Sequence, residues 1–326
     1  MYDKIRTTLF PLITALIWGS TYVVQSAYSP RPLSFNCMRA FVATVFLLLV
    51  LLVFTKGDVK HLLRGKDRKE TLNLWLGGML SGMSLACVGN LQQFGLSNGV
   101  EAGKAGFITA LYIVLVPLLG IFLKKKVTAN VWIAVALALV GQYFIFVKND
   151  FSVNLNDLFI FGAAFMSAVH ILIVDHFTAK CHPIKMSCIQ VMTMSVISLV
   201  LACVFENPQP SDLTNNIFPI LYVGLGSSGI AYTLQVVAQK DANPTIITLL
   251  LSLEAVFSVI AGAIFLHEVL TGREYLGCAL MFIAVLLAQF DIFEMIRARK
   301  AKKSAVTEEN AEISAQNQPD ETKAEA

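Results

Sequence analysis

Apolar residues in this chain gather in long blocks. They form neither the narrow stripe of a surface helix nor the alternation of a half-exposed strand. Ten blocks lie at 7–28, 34–54, 73–94, 104–123, 130–147, 156–176, 185–205, 217–238, 243–266 and 274–292. Short polar breaks part them, such as "SPRP" at 29–32, "KKK" at 124–126, "ENPQPSD" at 206–212 and "KDANP" at 240–244. About 20 apolar residues cross the hydrocarbon layer as a helix, and a helix satisfies its own backbone there. The pattern therefore predicts an all-α integral membrane protein with ten transmembrane helices.

Composition agrees. Of 326 residues, 56% are hydrophobic and 14% charged, against roughly 25% charged in a soluble domain. The net charge of +3 says little, but its distribution fixes an orientation. With the N-terminus in the cytoplasm and ten crossings, the basic residues gather in the inside segments. These include Lys4, Arg6, the six between Lys56 and Lys69, Lys124 to Lys126, Lys180, Lys185, Lys240 and those from Arg297 onward. Outside fall Arg31, Lys104, Lys148 and Arg273. An error in the count would scramble this asymmetry after the error, so positive-inside bias predicts ten spans with both termini cytoplasmic. The basic segment 56–69 then faces anionic lipid and implies no nucleic-acid partner. The first block is longer than a leader's apolar core and nine more follow, so it is expected to be a retained helix. The tail 297–326 is polar, acidic toward its end and free of aromatics, the composition of a disordered cytoplasmic segment.

The chain also repeats itself. Shifted by 143 residues, "IFLKKKVT" (121–128) lies on "IFLHEVLT" (264–271), and Val116, Ala136 and Leu137 fall on identical residues. Shifted by 151, Pro32 and Arg39 fall on Pro183 and Gln190. The expected halves are 1–149 and 150–296. Five spans each is an odd number, so the second half enters the membrane inverted relative to the first. Small-x-x-x-small pairs at Gly78/Gly82, Gly99/Gly103, Ala134/Ala138 and Ser258/Gly262 predict close helix packing within the monomer.

Several chemistries are missing. The six cysteines form no C-x-x-C pair, the five histidines have no metal-ligand spacing, and no phosphate-binding glycine loop occurs. No cofactor, metal or catalytic residue is expected. A membrane-embedded lipid enzyme would need clustered His, Asp and Glu or a nucleophile beside a base, and neither is present.

Glu254 is the one carboxylate deep in an apolar run, "TIITLLLSLEAVFSVIAGAIFL" (245–266). It sits about 16 Å from the nearer end of its span, too deep for its side chain to reach the headgroups. Burial of such a charge costs about 3 kcal/mol on insertion scales, so a substrate amine, a proton or a structural hydrogen bond must offset it. Arg39 lies nearer the outer end of its span, where snorkelling to the headgroups and binding of a substrate carboxylate stand side by side. His170 suits either a proton relay or a satisfied packing position. Asp175, close to an inner end, is expected in water. Trp18, Tyr22, Asn90, Gln93, Tyr112, Tyr232 and Gln235 are candidates to line a polar path, as are Gln25 and Gln190. For each alone, interhelical bonding is an equal or better account.

Ordered along the chain, these residues resemble the EamA-type transporters of the drug/metabolite transporter superfamily. The resemblance lies in "ALIWGSTYVV" (15–24), Arg39 within "FNCMRAFVATVFLLLV", and the stretch from Asp241 to Ala288 with Leu-Glu in the ninth span, Glu268 after it and Gly277 in the tenth. It covers residues 8–292. Ala255 stands where the family often has Pro, and Lys125 where it often has an acid. The resemblance implies ten helices as two five-helix repeats and export or exchange of small metabolites such as amino acids; with no nucleotide-binding motif, a plasma-membrane carrier driven by proton or counter-substrate coupling is expected. Efflux of drugs or toxic compounds is the alternative within this class. A non-transporting scaffold, which would tolerate loss of Glu254 and Arg39, is the alternative outside it.

Overall fold

Helix starts in this chain are written into local sequence. Pro183 and Pro244 open helices at the position where a missing N–H costs nothing. Asn243 caps the latter by accepting from the Thr245 N–H at 2.9 Å. "TGRE" (271–274) is a capping box, in which Glu274 Oε2 accepts from the Thr271 N–H and Thr271 Oγ1 from the Glu274 N–H. The computed structural model describes residues 2–26, 31–98, 100, 102–125, 127–147, 154–209, 211, 214, 216–265, 267 and 269–289, and these form helices and turns alone.

The helices are α1 (Tyr2–Ser26), α2 (Pro32–Phe54), α3 (Arg68–Ser97), α4 (Ala102–Ala110), α5 (Tyr112–Phe122), α6 (Ala129–Phe146), α7 (Asp157–Thr178), α8 (Pro183–Phe205), α9 (Ile217–Tyr222), α10 (Tyr232–Gln239), α11 (Pro244–Leu251), α12 (Glu254–Phe265) and α13 (Gly272–Gln289). A π-helical segment, Val223–Ala231, joins α9 to α10. Eight helical stretches among the described residues are long and apolar enough to cross a membrane. α1 and α13 occupy the first and last apolar blocks. The tail 297–326, Gly99 and Glu268 lie outside the described residues.

Three blocks that read as continuous are interrupted. The fourth breaks at Leu111, where bonding tightens: the Leu111 N–H reaches Ile108 O at 3.1 Å and the Val114 N–H reaches Leu111 O at 3.0 Å. The ninth breaks at Ser252–Leu253, with the Leu253 N–H on Leu250 O and the Ala255 N–H on Ser252 O, both 3.2 Å. There the Thr248 and Ser252 hydroxyls donate back to Pro244 O and Leu249 O at 2.6 and 2.7 Å, a pattern that bends helices. The eighth passes through the π segment. Hydropathy is blind to such breaks because apolar residues continue through them.

The packing pairs come in matched sets. α2 lies against α8, and α6 against α13. α3 packs on α8 as the π segment packs on α2. α7 packs on α3 and on α4–α5, while α1 packs on the π segment with α10 and on α11–α12. Exchanging α1–α6 with α7–α13 reproduces the set. Two glycine contacts share this relation. A Cβ on Gly82 would stand 2.5 Å from the Gln190 carbonyl oxygen and 2.6 Å from Thr193 Cβ; one on Gly224 would stand 3.1 Å from the Arg39 carbonyl oxygen and 2.9 Å from Val42 Cβ. Gln190 and Thr193 follow Arg39 and Val42 by 151 residues each. Gly141 and Gly277 likewise face each other's backbone oxygens, and Ala134 and Ala138 are fully buried in the main apolar core.

Polar ties join the two halves at both ends. The Glu206 carboxylate, just past α8, accepts the Leu33 and Ser34 N–H groups at the α2 N-terminus, both at 2.7 Å. Lys185 Nζ donates to His61 O and Arg64 O at 2.7 Å. Asp175 departs from expectation. It is not in water: its side chain is 8% exposed and pairs with Lys125 at 2.7 Å. The lysine reaches it from the loop after α5, and neighbouring helices shield the carboxylate that the sequence places at a wet end.

Candidate functional site

The two interrupted helices meet at the middle of the molecule. Tyr112 is the first residue of α5 and Glu254 the first of α12, so each stands directly after its break. Tyr112 Oη donates to Glu254 Oε1 across a long 3.4 Å. The two side chains border a cavity of about 100 Å³. The segment 1–149 supplies Trp18, Thr21, Arg39, Gly89, Gln92 and Thr109 to its wall besides Tyr112. The segment 150–296 supplies Ser167, His170, Ser227, Tyr232 and Gln235 besides Glu254.

Aromatic and polar contacts order this wall. The Tyr232 ring lies 4.9 Å from Trp18 and 6.1 Å, edge-on, from the His170 imidazole. His170 Nε2 is 3.1 Å from Gln190 Oε1, a fully buried residue behind the wall on α8. Arg39 is 7% exposed and borders the cavity, so its guanidinium is packed inside the protein instead of snorkelling. Three wall residues carry buried polar atoms with no protein partner among the described residues: Trp18 Nε1, Thr109 Oγ1 and Gln235 Oε1.

Of the residues singled out from sequence, Glu254, Arg39, His170, Trp18, Tyr112, Tyr232 and Gln235 border the cavity. Asn90 does not. It is buried behind the wall and accepts from Asn36 Nδ2 at 3.2 Å. Gln93 does not either, because α3 turns its neighbour Gln92 inward. Tyr22 and Gln25 lie on α1, but their side chains are outside the described residues. Sequence reading missed Thr21, Gly89, Gln92, Thr109, Ser167 and Ser227. One signal would have found most of them. Four pairs of wall residues stand three apart on one helix, namely Trp18/Thr21, Gly89/Gln92, Ser167/His170 and Tyr232/Gln235, and two more, Thr109/Tyr112 and Leu251/Glu254, stand across the breaks. Positions three apart share a helix face.

No group of three or more His, Cys, Asp or Glu suited to a metal occurs among the described residues. What the wall offers is one cation, one carboxylate, aromatic faces and neutral hydrogen-bonding groups. That inventory has the chemistry to hold a polar solute.

Comparison with known proteins points the same way. The chain is 28% identical over 283 residues to an uncharacterized transporter of Archaeoglobus fulgidus, covering 86% of this chain and 84% of that one. It is 24% identical over 285 residues to the uncharacterized transporter YwfM of Bacillus subtilis, covering 86% and 92% of the two chains. Against the uncharacterized transporter YoaV of the same organism it is 24% identical over 294 residues, covering 88% and 97%. A solved crystal structure superposes with a TM-score of 0.72 at 16% identity, covering 86% of this chain and 95% of that one, which speaks to the fold alone. The pattern of the EamA-like transporter family matches residues 6–147 and again residues 154–290. With both segments matched, and a polar cavity bordered by residues of each, the chain belongs to the EamA-like transporter family.

Proposed function

We propose that this transporter carries small polar metabolites, small amino acids foremost, across the plasma membrane by alternating access between two inverted five-helix halves. Both termini are cytoplasmic in this reading, and movement is outward, by exchange or with proton coupling. Support for the inverted halves comes from the packing pairs that survive exchange of the first and last five spans. The family pattern, matching once in each half, adds to it. The interruptions at Leu111 and Ser252–Leu253 add more, since broken helices at corresponding positions of two repeats form the binding region of such carriers.

One observation carries the substrate reading. Arg39 and Glu254, opposite in charge and drawn from different halves, border the same cavity. A zwitterion satisfies both: its carboxylate goes to the guanidinium and its ammonium to the Glu254 carboxylate. A space of about 100 Å³ is small beside the 300–1,000 Å³ of drug-sized sites, which favours compact solutes such as L-alanine, L-serine and L-threonine.

The test is counterflow of these three amino acids in proteoliposomes across a pH series. The expected result is pH-dependent flux in the wild type, abolished in Glu254→Gln at unchanged membrane expression. Normal, pH-dependent flux in that variant removes the coupling role. Absence of wild-type flux for all three overturns the substrate reading.

A further inference from the structure

We infer that Gly89 is a specificity-determining residue: the side chain it lacks leaves the notch through which a substrate carboxylate reaches Arg39. The inference rests on the zwitterion reading above and names the residue that sorts acids from bare amines.

Glycine inside a helix lowers its stability relative to alanine, so its presence needs a reason. Close packing is the usual one, and it holds one turn after another along α3. A Cβ on Gly78 would fall 2.6 Å from Ile189 Cβ, and one on Gly82 would meet the Gln190 carbonyl oxygen at 2.5 Å. Backbone and branched carbons cannot step aside at those distances. Gly89 is different. Its Cβ would meet Arg39 Nη2 and Asn36 Nδ2 at 3.4 Å and Met194 Cε at 3.5 Å. All three are ends of flexible side chains near ordinary contact distance. Packing therefore admits alanine at 89, and the glycine calls for another explanation.

The position supplies one. Gly89 borders the cavity, while its neighbours along the same face, Leu85, Val88 and Gln92, fill the wall with side chains. Of the groups a Cβ at 89 would touch, the Arg39 guanidinium borders the cavity, while the Asn36 amide lies buried beside it. Behind them, Asn36 Nδ2 donates to Asn90 Oδ1, which holds the amide beside the guanidinium. A guanidinium at the cavity wall selects an anionic acceptor, and a backbone without Cβ lets it approach closely. Glu254 lies across the cavity to take the amine.

The experiment compares wild type with Gly89→Ala and Gly89→Val in counterflow of L-serine, with ethanolamine, its decarboxylated counterpart, as competitor. Gly89→Ala is expected to raise the KM for L-serine about tenfold, the loss of one charge-assisted contact, and Gly89→Val further. The maximal rate, the inhibition by ethanolamine and the melting temperature of Gly89→Ala stay at or above wild type. An unchanged KM and unchanged serine-to-ethanolamine discrimination in both variants overturn the notch and leave the transporter reading standing. Equal weakening of serine and ethanolamine overturns it as well, because Gly89 then shapes the cavity without reading the carboxylate. A lowered melting temperature of Gly89→Ala assigns the glycine to packing and also sinks the inference. A wild type that carries none of the three amino acids removes the underlying reading itself.

Discussion

Tyr112 and Glu254 occupy equivalent places, each opening the second piece of a broken span, yet one is a phenol and the other a carboxyl. Their 3.4 Å contact joins segment 1–149 to segment 150–296, so under the proposed alternating access a motion of one against the other would make or break it. Loss of one hydrogen bond to a carboxylate is worth about 1.5–3 kcal/mol at most, and a long bond sits below that. Tyr112→Phe is therefore expected to slow L-serine counterflow by about two- to fivefold and to shift the midpoint of its pH profile. Glu254→Gln instead flattens the profile. A Tyr112→Phe variant with the wild-type profile would mean that the bond plays no part in the cycle. At this scale the sequence was partly legible. A lone acid such as Glu254 is conspicuous in an apolar run, whereas Thr109 or Ser167 is unremarkable until its helix face is known.

Helices meet here through small residues, because lipid offers no hydrophobic drive to bring them together. The Gly78/Gly82 pair, legible as a motif, seats α3 on α8 at Ile189, Gln190 and Thr193. Gly82→Ala is expected to destabilise the protein by about 1–3 kcal/mol through overpacking, read as a lower melting temperature in detergent. Gly224→Ala, with contacts of 2.9 and 3.1 Å in the matched place, is expected to cost less. No loss in either variant would argue that these helices can part without cost. The breaks at Leu111 and Ser252–Leu253 were not legible. A hydropathy window averages over them, and the hydroxyls that bend α11 look like ordinary tolerated polar residues. The π segment was hidden for the same reason; such segments gather at functional sites, and this one turns Ser227 to the cavity.

Across the whole molecule, the two halves are tied at the end opposite Glu206 by Lys125 and Asp175, with side chains 45% and 8% exposed. A pair with one partner in water adds about 1 kcal/mol or less to stability, so an effect on counterflow larger than that on stability would assign it a part in the transport cycle. Lys125→Asp and Asp175→Lys are each expected to lower counterflow several-fold, and the double exchange to restore it, with membrane expression constant throughout. Failure of the exchange to recover activity would make the pair a bystander. Charge asymmetry in the sequence predicts both residues near the same face, but nothing in it pairs them, since they lie 50 positions apart, one in the loop after α5 and the other on α7.

Sequence alone determined the solvent of this protein. Blocks of apolar residues long enough for a bilayer, with basic breaks on alternate sides, follow from transfer free energies that act on each segment separately. Its internal repeat and its one deep acid were readable for the same reason. Tertiary structure decided what those segments do together. Whether Arg39 turns inward, which of Gln92 and Gln93 meets the cavity, and where two helices break depend on packing between segments far apart in the chain. Such contacts leave no mark on local hydropathy.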